Sequence, residues 1–227
     1  MQPTFLPWLG YFNLISRVDL FVILDSVQFE SRSWQQRNKI LINGFSKWIT
    51  IPVTLPLGIA TKINQVEINR EHFSAEKFKS TIFHAYGKNH GYSYIESEIF
   101  PLITDEEKFL SDMNLRIIEK ITQDLKISTK FLKSSELQAV GSKADLILNI
   151  CKEVKSKVYI SPIGSQTYLD DFQGFEQNAI ELEYQDYQHP VYSQGKREFI
   201  SHLSIIDAFA NIGLGSVTNL IIPEENK

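Results

Sequence analysis

Leu20-Phe21-Val22-Ile23-Leu24 is an unbroken apolar run, rich in strand formers and closed by Asp25. A strand with one wet face alternates apolar and polar side chains. An unbroken run suits a strand covered on both faces, as in a parallel sheet between helices. The surrounding sequence continues in that style. Tyr11–Val18 reads as a short amphipathic helix, and Lys39–Ile42, Asn43-Gly44 and Trp48–Val53 as a hairpin, Asn-Gly being a favoured two-residue turn. Leu110, Met113, Ile117, Ile121 and Leu125 recur at helical spacing, with Thr104 and Glu107 spaced as a capping box. Thr129–Leu132, Lys157–Ser161 and Ile180–Tyr184 read as further strands. Ser142 is expected to cap a helix reaching Val154, and Leu203–Ile212 to form a last helix stopped by Gly213. The pattern predicts one α/β domain over residues 1–227, a parallel sheet flanked by helices, with a mixed α+β insert in the first half. Residues 54–101 fit this frame least well and are expected to form a lid or insert beside the sheet.

Several function classes are disfavoured at once. A net charge of −4 offers no broad basic surface, which argues against general nucleic-acid binding. No apolar run reaches the length of a membrane span, so membrane insertion is not expected. Cys151 is the single cysteine; it falls in an apolar helical pattern and reads as a buried thiol, in keeping with a reducing cytoplasm. His72, His84, His90 and His202 have no partner at metal-ligand spacing, so no metal site is proposed.

Four clusters carry candidate chemistry. Gln2 to Phe12, with Pro3, Pro7 and Gly10, is a stiff aromatic loop ahead of a helix. Gln2, Trp8, Gly10 and Tyr11 either face an anionic ligand at the helix N-terminus or pack as a rigid loop on the core. Beyond the apolar strand lie Asp25, Gln28, Arg32, Trp34, Arg37 and Asn38. Ligands of open α/β sheets bind outside the carboxyl ends of strands, and this mix suits hydroxyls, carboxylates and phosphates, with Trp34 as a stacking face. The third cluster, Ser161 to Asp170, holds Gly164, Ser165 and Tyr168 in a small-residue loop able to approach a phosphate; it is not a Walker A loop. In the fourth, His189 either serves as a general base, the strongest such candidate with Asp25 as the second, or is a loop histidine hydrogen-bonded to backbone. Ser204 and Asp207 are spaced as a helix N-cap pair, which is preferred to catalysis for both.

Gln-Pro-x-Phe-x-Pro-x-x-Gly-Tyr-Phe, Asp-x-Val-Gln-Phe and Arg-x-Trp-x-x-Arg-Asn together resemble the opening of WbqC-like proteins. The likeness extends through Ser161–Leu169, Glu183–Pro190 and Leu203–Gly213, nearly the whole chain. Members of that family carry a short apolar segment before the Met-Gln-Pro. Met1 stands at that point here, so the resemblance implies a first strand that is either absent or misannotated, which would leave a neighbouring strand edge unpaired. The resemblance implies a cytoplasmic enzyme of O-antigen or related lipopolysaccharide synthesis. Its reaction would be transfer of a glycyl or other acyl group to a nucleotide-linked amino sugar, forming an amide. The alternative is a non-catalytic protein that binds the sugar nucleotide or serves assembly.

A more distant likeness is to pantothenate synthetase, which implies a nucleotidyltransferase or Rossmann-like frame. On that likeness Gln28 would hold the acid, Arg32 and Arg37 phosphates, and Gly164-Ser165 a phosphate cradle, with ATP as activating cofactor. That superfamily places two histidines in its first loop; Gln2–Tyr11 has none. A preorganised stabiliser of this kind is worth about 3 kcal/mol of barrier. Either other cations replace the pair, or the acyl donor arrives already activated, as a thioester or aminoacyl-tRNA.

Overall fold

The computed structural model describes residues 1–195 and 198–222. After the first loop, helix α1 (Leu9–Ser16) leads into strand β1 (Leu20–Ile23). Strands β2 (Arg37–Ile42) and β3 (Phe45–Thr50) form the expected hairpin. Asn43 and Gly44 turn it with φ of 53° and 79°, the paired positive φ of a type I′ turn. Short strands β4 (Val53–Thr54) and β5 (Glu67–Ile68) pair antiparallel. Helices α2 (Ala75–Tyr86), α3 (Tyr92–Tyr94) and α4 (Leu110–Asp124) follow, then β6 (Lys130–Lys133) and α5 (Lys143–Glu153). Strand β7 (Val158–Ser161), short helices α6 (Gln166–Leu169) and α7 (Gly174–Gln177), strand β8 (Glu181–Tyr184) and helix α8 (Ile205–Ile221) complete the described chain.

The architecture is α/β, with helices around small sheets, two of them parallel. β1 pairs with β6 from Leu20 opposite Lys130 to Ile23 opposite Lys133. β7 pairs with β8 from Val158 opposite Glu181 to Ser161 opposite Tyr184. The apolar interior falls into two clusters. The larger joins the first loop, α1, β1, α2, α4 and α8, and includes Phe5, Phe12, Ile82, Ile117 and Phe209, each wholly buried. At about 1.5–3 kcal/mol per large apolar side chain, this cluster dominates the stability. Ile82, Tyr86, Ile95 and Ile99, from the 54–101 stretch, belong to it. The smaller cluster gathers Ala144, Leu148, Cys151, Leu169, Phe175 and Ile180 under β7 and β8. Between β1 and β7 lies a cavity of about 1340 Å³. Of the named strands β1 meets β6 alone, and its other edge bonds Met1, whose amine donates to the Val22 carbonyl (2.7 Å) and whose carbonyl accepts from the Leu24 N–H (2.7 Å).

Three local expectations are corrected. The α4 helix starts at Leu110 with no side-chain cap, so Thr104 and Glu107 form no capping box; Glu107 instead pairs with Arg116. Ser142 occupies the N-cap place of α5 and Ser204 that of α8, yet neither side chain caps its helix. The Ser204 hydroxyl donates to the carbonyl of Leu6 (2.8 Å), which docking of the first loop brings within its reach. Gly213 does not end the last helix. It is a joint with φ 74° and ψ 162°, beyond which the helix resumes and buries Val217 and Ile221. Apolar side chains on the far segment make resumption favourable where local sequence alone reads as a stop.

Candidate functional site

The first loop is held by its own carbonyls. The side-chain amide of Asn38 donates to Phe5 (3.0 Å) and Leu6 (2.8 Å), and that of Asn114 to Pro3 (3.0 Å) and Gln35 (2.8 Å). The backbone N–H of Phe5 donates to Trp34, and that of Ile205 to Pro7. Tyr11 is buried and donates to the carbonyl of Gln2 (3.0 Å), while the Gln35 side chain reaches that of Gln2. Asn38 and Asn114 thus knit the loop to β2 and α4, and Tyr11 ties Gln2 to α1. Gln35 Oε1 and Asn114 Oδ1 remain buried without a hydrogen-bond partner, an acceptor pair beside Gln2 that the sequence did not single out.

This knot fixes Trp8. A Cβ on Gly10 would sit 2.1 Å from the Trp8 ring, so glycine there permits the indole to fold back over α1. The indole stacks on His189, with centroids 5.7 Å apart and planes 11° apart, and meets His202 at 4.9 Å. His189 Nδ1 lies 2.9 Å from the carbonyl of Pro190, and its Nε2 is buried without a partner. Burial lowers the pKa of His189 from its ordinary value, and His202 acts in the same direction. The carbonyl of Gly10 accepts from Gln185 Nε2 (2.8 Å), which also reaches Asn13 (2.9 Å), tying the end of β8 to α1. Gln2, Trp8, Gly10, Tyr11 and His189 therefore form one connected constellation.

The second cluster divides. Asp25 is buried and accepts from Ser134 Oγ (3.0 Å), Ser135 N–H (2.8 Å) and Ser135 Oγ (2.6 Å), joining the carboxyl ends of β1 and β6. Gln28 is exposed and donates to the carbonyl of Ile59 (2.7 Å). Arg32 sits in a turn with φ 60°, its N–H on Gln36 Oε1 (2.9 Å). Arg37 lies over the Trp48 ring at 4.1 Å, with Lys39 at 4.9 Å, and its Nε has no hydrogen-bond partner. Trp34 packs on Trp48 with centroids 5.1 Å apart, both rings partly exposed. Trp48 was missed in the sequence because it alternates as an ordinary hairpin residue; its pairing opposite Lys39 is what builds the cationic aromatic face.

In the third cluster, Gly164 and Ser165 form a single turn after β7, and Tyr168 is half-exposed on α6. Gln28, Arg37 and Tyr168 each engage different surroundings, and none lines the cavity between β1 and β7. Among the described residues no group of His, Cys, Asp and Glu is placed to hold a metal ion. No helix among them is long and apolar enough to cross a membrane.

An uncharacterized protein, Rv1507c, of Mycobacterium tuberculosis (strain ATCC 25618 / H37Rv) is similar, 28% identical over 215 residues covering 94% of this chain and 92% of that protein. No solved structure matches the chain. The model of the WbqC-like protein family matches residues 2–219, spanning the first loop, the Asp25–Asn38 stretch and the His189 segment alike; the chain belongs to that family.

Proposed function

We propose that the protein is an enzyme of cell-surface polysaccharide synthesis, built on a Rossmann-like frame. In this reading it joins a glycyl or other small acyl group to the amine of a nucleotide-linked amino sugar. The observation that carries the reading is the state of His189. A carbonyl only accepts, so the contact with Pro190 assigns the proton to Nδ1 and leaves a lone pair on Nε2. That lone pair has no protein partner, and the lowered pKa keeps the ring neutral at pH 7. A base in this condition suits the step that amide formation requires.

The sugar nitrogen attacks the acyl carbonyl carbon, and a C–N bond forms as the C–S or C–O bond to the leaving group breaks. The proton from nitrogen passes to His189 Nε2 and from there to the departing thiolate or alkoxide. Trp8, stacked on the imidazole, holds the ring's plane and offers a flat apolar wall. Arg37 and Lys39, over Trp48, supply cations for a phosphate beside an aromatic surface for a sugar or base. Asp25 is assigned the task of holding the ends of β1 and β6 together. The histidine-free first loop favours a thioester or aminoacyl-tRNA donor over ATP. Membership of the WbqC-like family supports the polysaccharide setting.

The test is mass spectrometry of nucleotide-linked amino sugars incubated with the protein and a panel of donors: acyl thioesters, glycyl-tRNA, and glycine with ATP. The expected result is a sugar heavier by one acyl residue, lost in His189→Gln. Tight sugar-nucleotide binding with no product from any donor would replace this reading with a non-catalytic binding protein.

A further inference from the structure

The β2–β3 hairpin turns its two faces to different surroundings. Asn38, Ile40 and Ile49 point inward and are buried. Side chains alternate along a strand, so Arg37 and Lys39 of β2 share the outer face with Trp48 and Thr50 of β3. Lys39 stands directly opposite Trp48, and Arg37 opposite Thr50. The Arg37 guanidinium lies 4.1 Å from the centre of the Trp48 ring and the Lys39 amine 4.9 Å. Trp34 packs on Trp48 with centroids 5.1 Å apart, yet the two residues remain 47% and 43% exposed.

Among the described residues neither Arg37 nor Lys39 makes an ion pair, and Arg37 Nε is buried without a hydrogen-bond partner. None of the strand residues on this face is acidic. Unpaired cations beside open indoles call for a ligand that brings both phosphate and flat rings. A sugar nucleotide brings one base. Two open indoles side by side take two, and stacking on an indole needs no particular base. The face also adjoins the histidine site. The Trp34 carbonyl accepts from the Phe5 N–H (2.9 Å), and the Lys39 carbonyl from the Ser204 N–H (2.8 Å). Trp8 follows Phe5 by three positions and His202 precedes Ser204 by two, spans of at most about 11 Å and about 7 Å. The Trp8 and His202 rings meet at 4.9 Å, and His189 lies 5.7 Å from the first and 4.8 Å from the second.

We propose that the outer face of this hairpin seats an unpaired RNA end. Successive bases stack on Trp34 and Trp48, and their phosphates meet Arg37 and Lys39. The strand's 3′ terminus then runs toward His189. The face is small and local, so it coexists with a net charge of −4 and does not extend to duplexes. Its use rests on the acyl-transfer reading above, in which it selects aminoacyl-tRNA as the donor. The C–O bond to the terminal ribose breaks as the C–N bond to the sugar amine forms, and the freed ribose oxygen takes the proton that His189 removed from the amine. The seat itself stands on the hairpin and does not require His189 to be a base.

The test is fluorescence anisotropy with two labelled RNA stem-loops, one carrying an unpaired 3′ end that finishes in cytidine-cytidine-adenosine and one with that end removed. The first should bind at least about tenfold more tightly than the second. Trp34→Ala and Trp48→Ala should each weaken it about tenfold, with circular dichroism unchanged. Log affinity against log salt should have a slope of about −1.4 for two phosphates, falling to about −0.7 in Lys39→Gln. Equal affinity for both stem-loops, or no effect of either tryptophan change, would overturn the proposal. So would full displacement by uridine diphosphate, which would assign the face to the acceptor's nucleotide, or a dimer abolished by Trp34→Ala, which would assign it to a second copy. RNA binding that meets these expectations, without acyl transfer from glycyl-tRNA, supports the seat and removes the reaction proposed above. Transfer from a thioester with no RNA binding overturns the seat and leaves that reaction standing.

Discussion

The indole of Trp8 and the imidazole of His189 lie within 11° of parallel, 5.7 Å between centroids, although 181 positions separate them in the chain (189 − 8). The stack exists because Asn38 and Asn114 pin the carbonyls of the first loop, and Gly10 leaves room for the ring. It places the residue with the clearest acid–base character against a rigid wall.

If His189 takes the proton from the attacking amine, His189→Gln should lower kcat for acyl transfer by about 10²–10⁴. Circular dichroism should show the fold intact. In the unsubstituted protein the acid limb of the kcat/KM profile should lie below pH 6.5, since burial lowers the pKa from that value. A profile that stays flat well below that pH would remove His189 from the reaction.

The same shift affects stability. The unfolded chain protonates His189 near 6.5, whereas the folded protein does so only at lower pH. Between those values the unfolded state binds more protons, so stability falls as pH is lowered through that window. The measurement is therefore the difference between unsubstituted protein and His189→Gln in denaturant midpoint from pH 8 to pH 5. The substituted protein should lose less stability below pH 6.5.

Asp207 is wholly buried, and its carboxylate accepts from Tyr86 (2.7 Å), Tyr192 (2.8 Å) and Gln194 (2.8 Å). Burial raises its pKa and those three donors oppose the rise. Asp207→Ala leaves the donors unpaired and should cost about 3–5 kcal/mol in urea unfolding. Tyr86→Phe should cost about 1 kcal/mol, plus a further loss at Leu41, whose N–H donates to the same phenol. A double-mutant cycle should give a coupling of about 0.5–3 kcal/mol.

Gly213 holds φ 74° and ψ 162°, a conformation nearly confined to glycine. Gly213→Ala should cost about 1–3 kcal/mol by thermal unfolding. If the helix instead straightens without loss, the joint is not required to seat Val217 and Ile221.

Much of the local structure was legible. The Leu20–Leu24 run announced β1, Asn43-Gly44 the hairpin turn, and the spacing from Leu110 to Leu125 helix α4, because each signal is carried by neighbours in sequence. Helix boundaries were less legible. Thr104, Ser142 and Ser204 all had the right chemistry for caps, yet Ser204 found a better-placed acceptor in Leu6, 198 residues away. The Trp34–Trp48 face and the acceptors of Gln35 and Asn114 were invisible for a related reason: each depends on which strand or loop lies opposite.

The sequence by itself determined the α/β class, the family, and which residues carry usable chemistry, since these follow from side-chain type and periodicity. Only the tertiary structure decided how those residues are employed. It set His189 Nδ1 2.9 Å from the Pro190 carbonyl, engaged Asp25 with Ser134 and Ser135, and paired Met1 with the edge of β1. Hydrogen bonds and strand edges are properties of pairs, and a pair distant in the chain has no partner until folding supplies it.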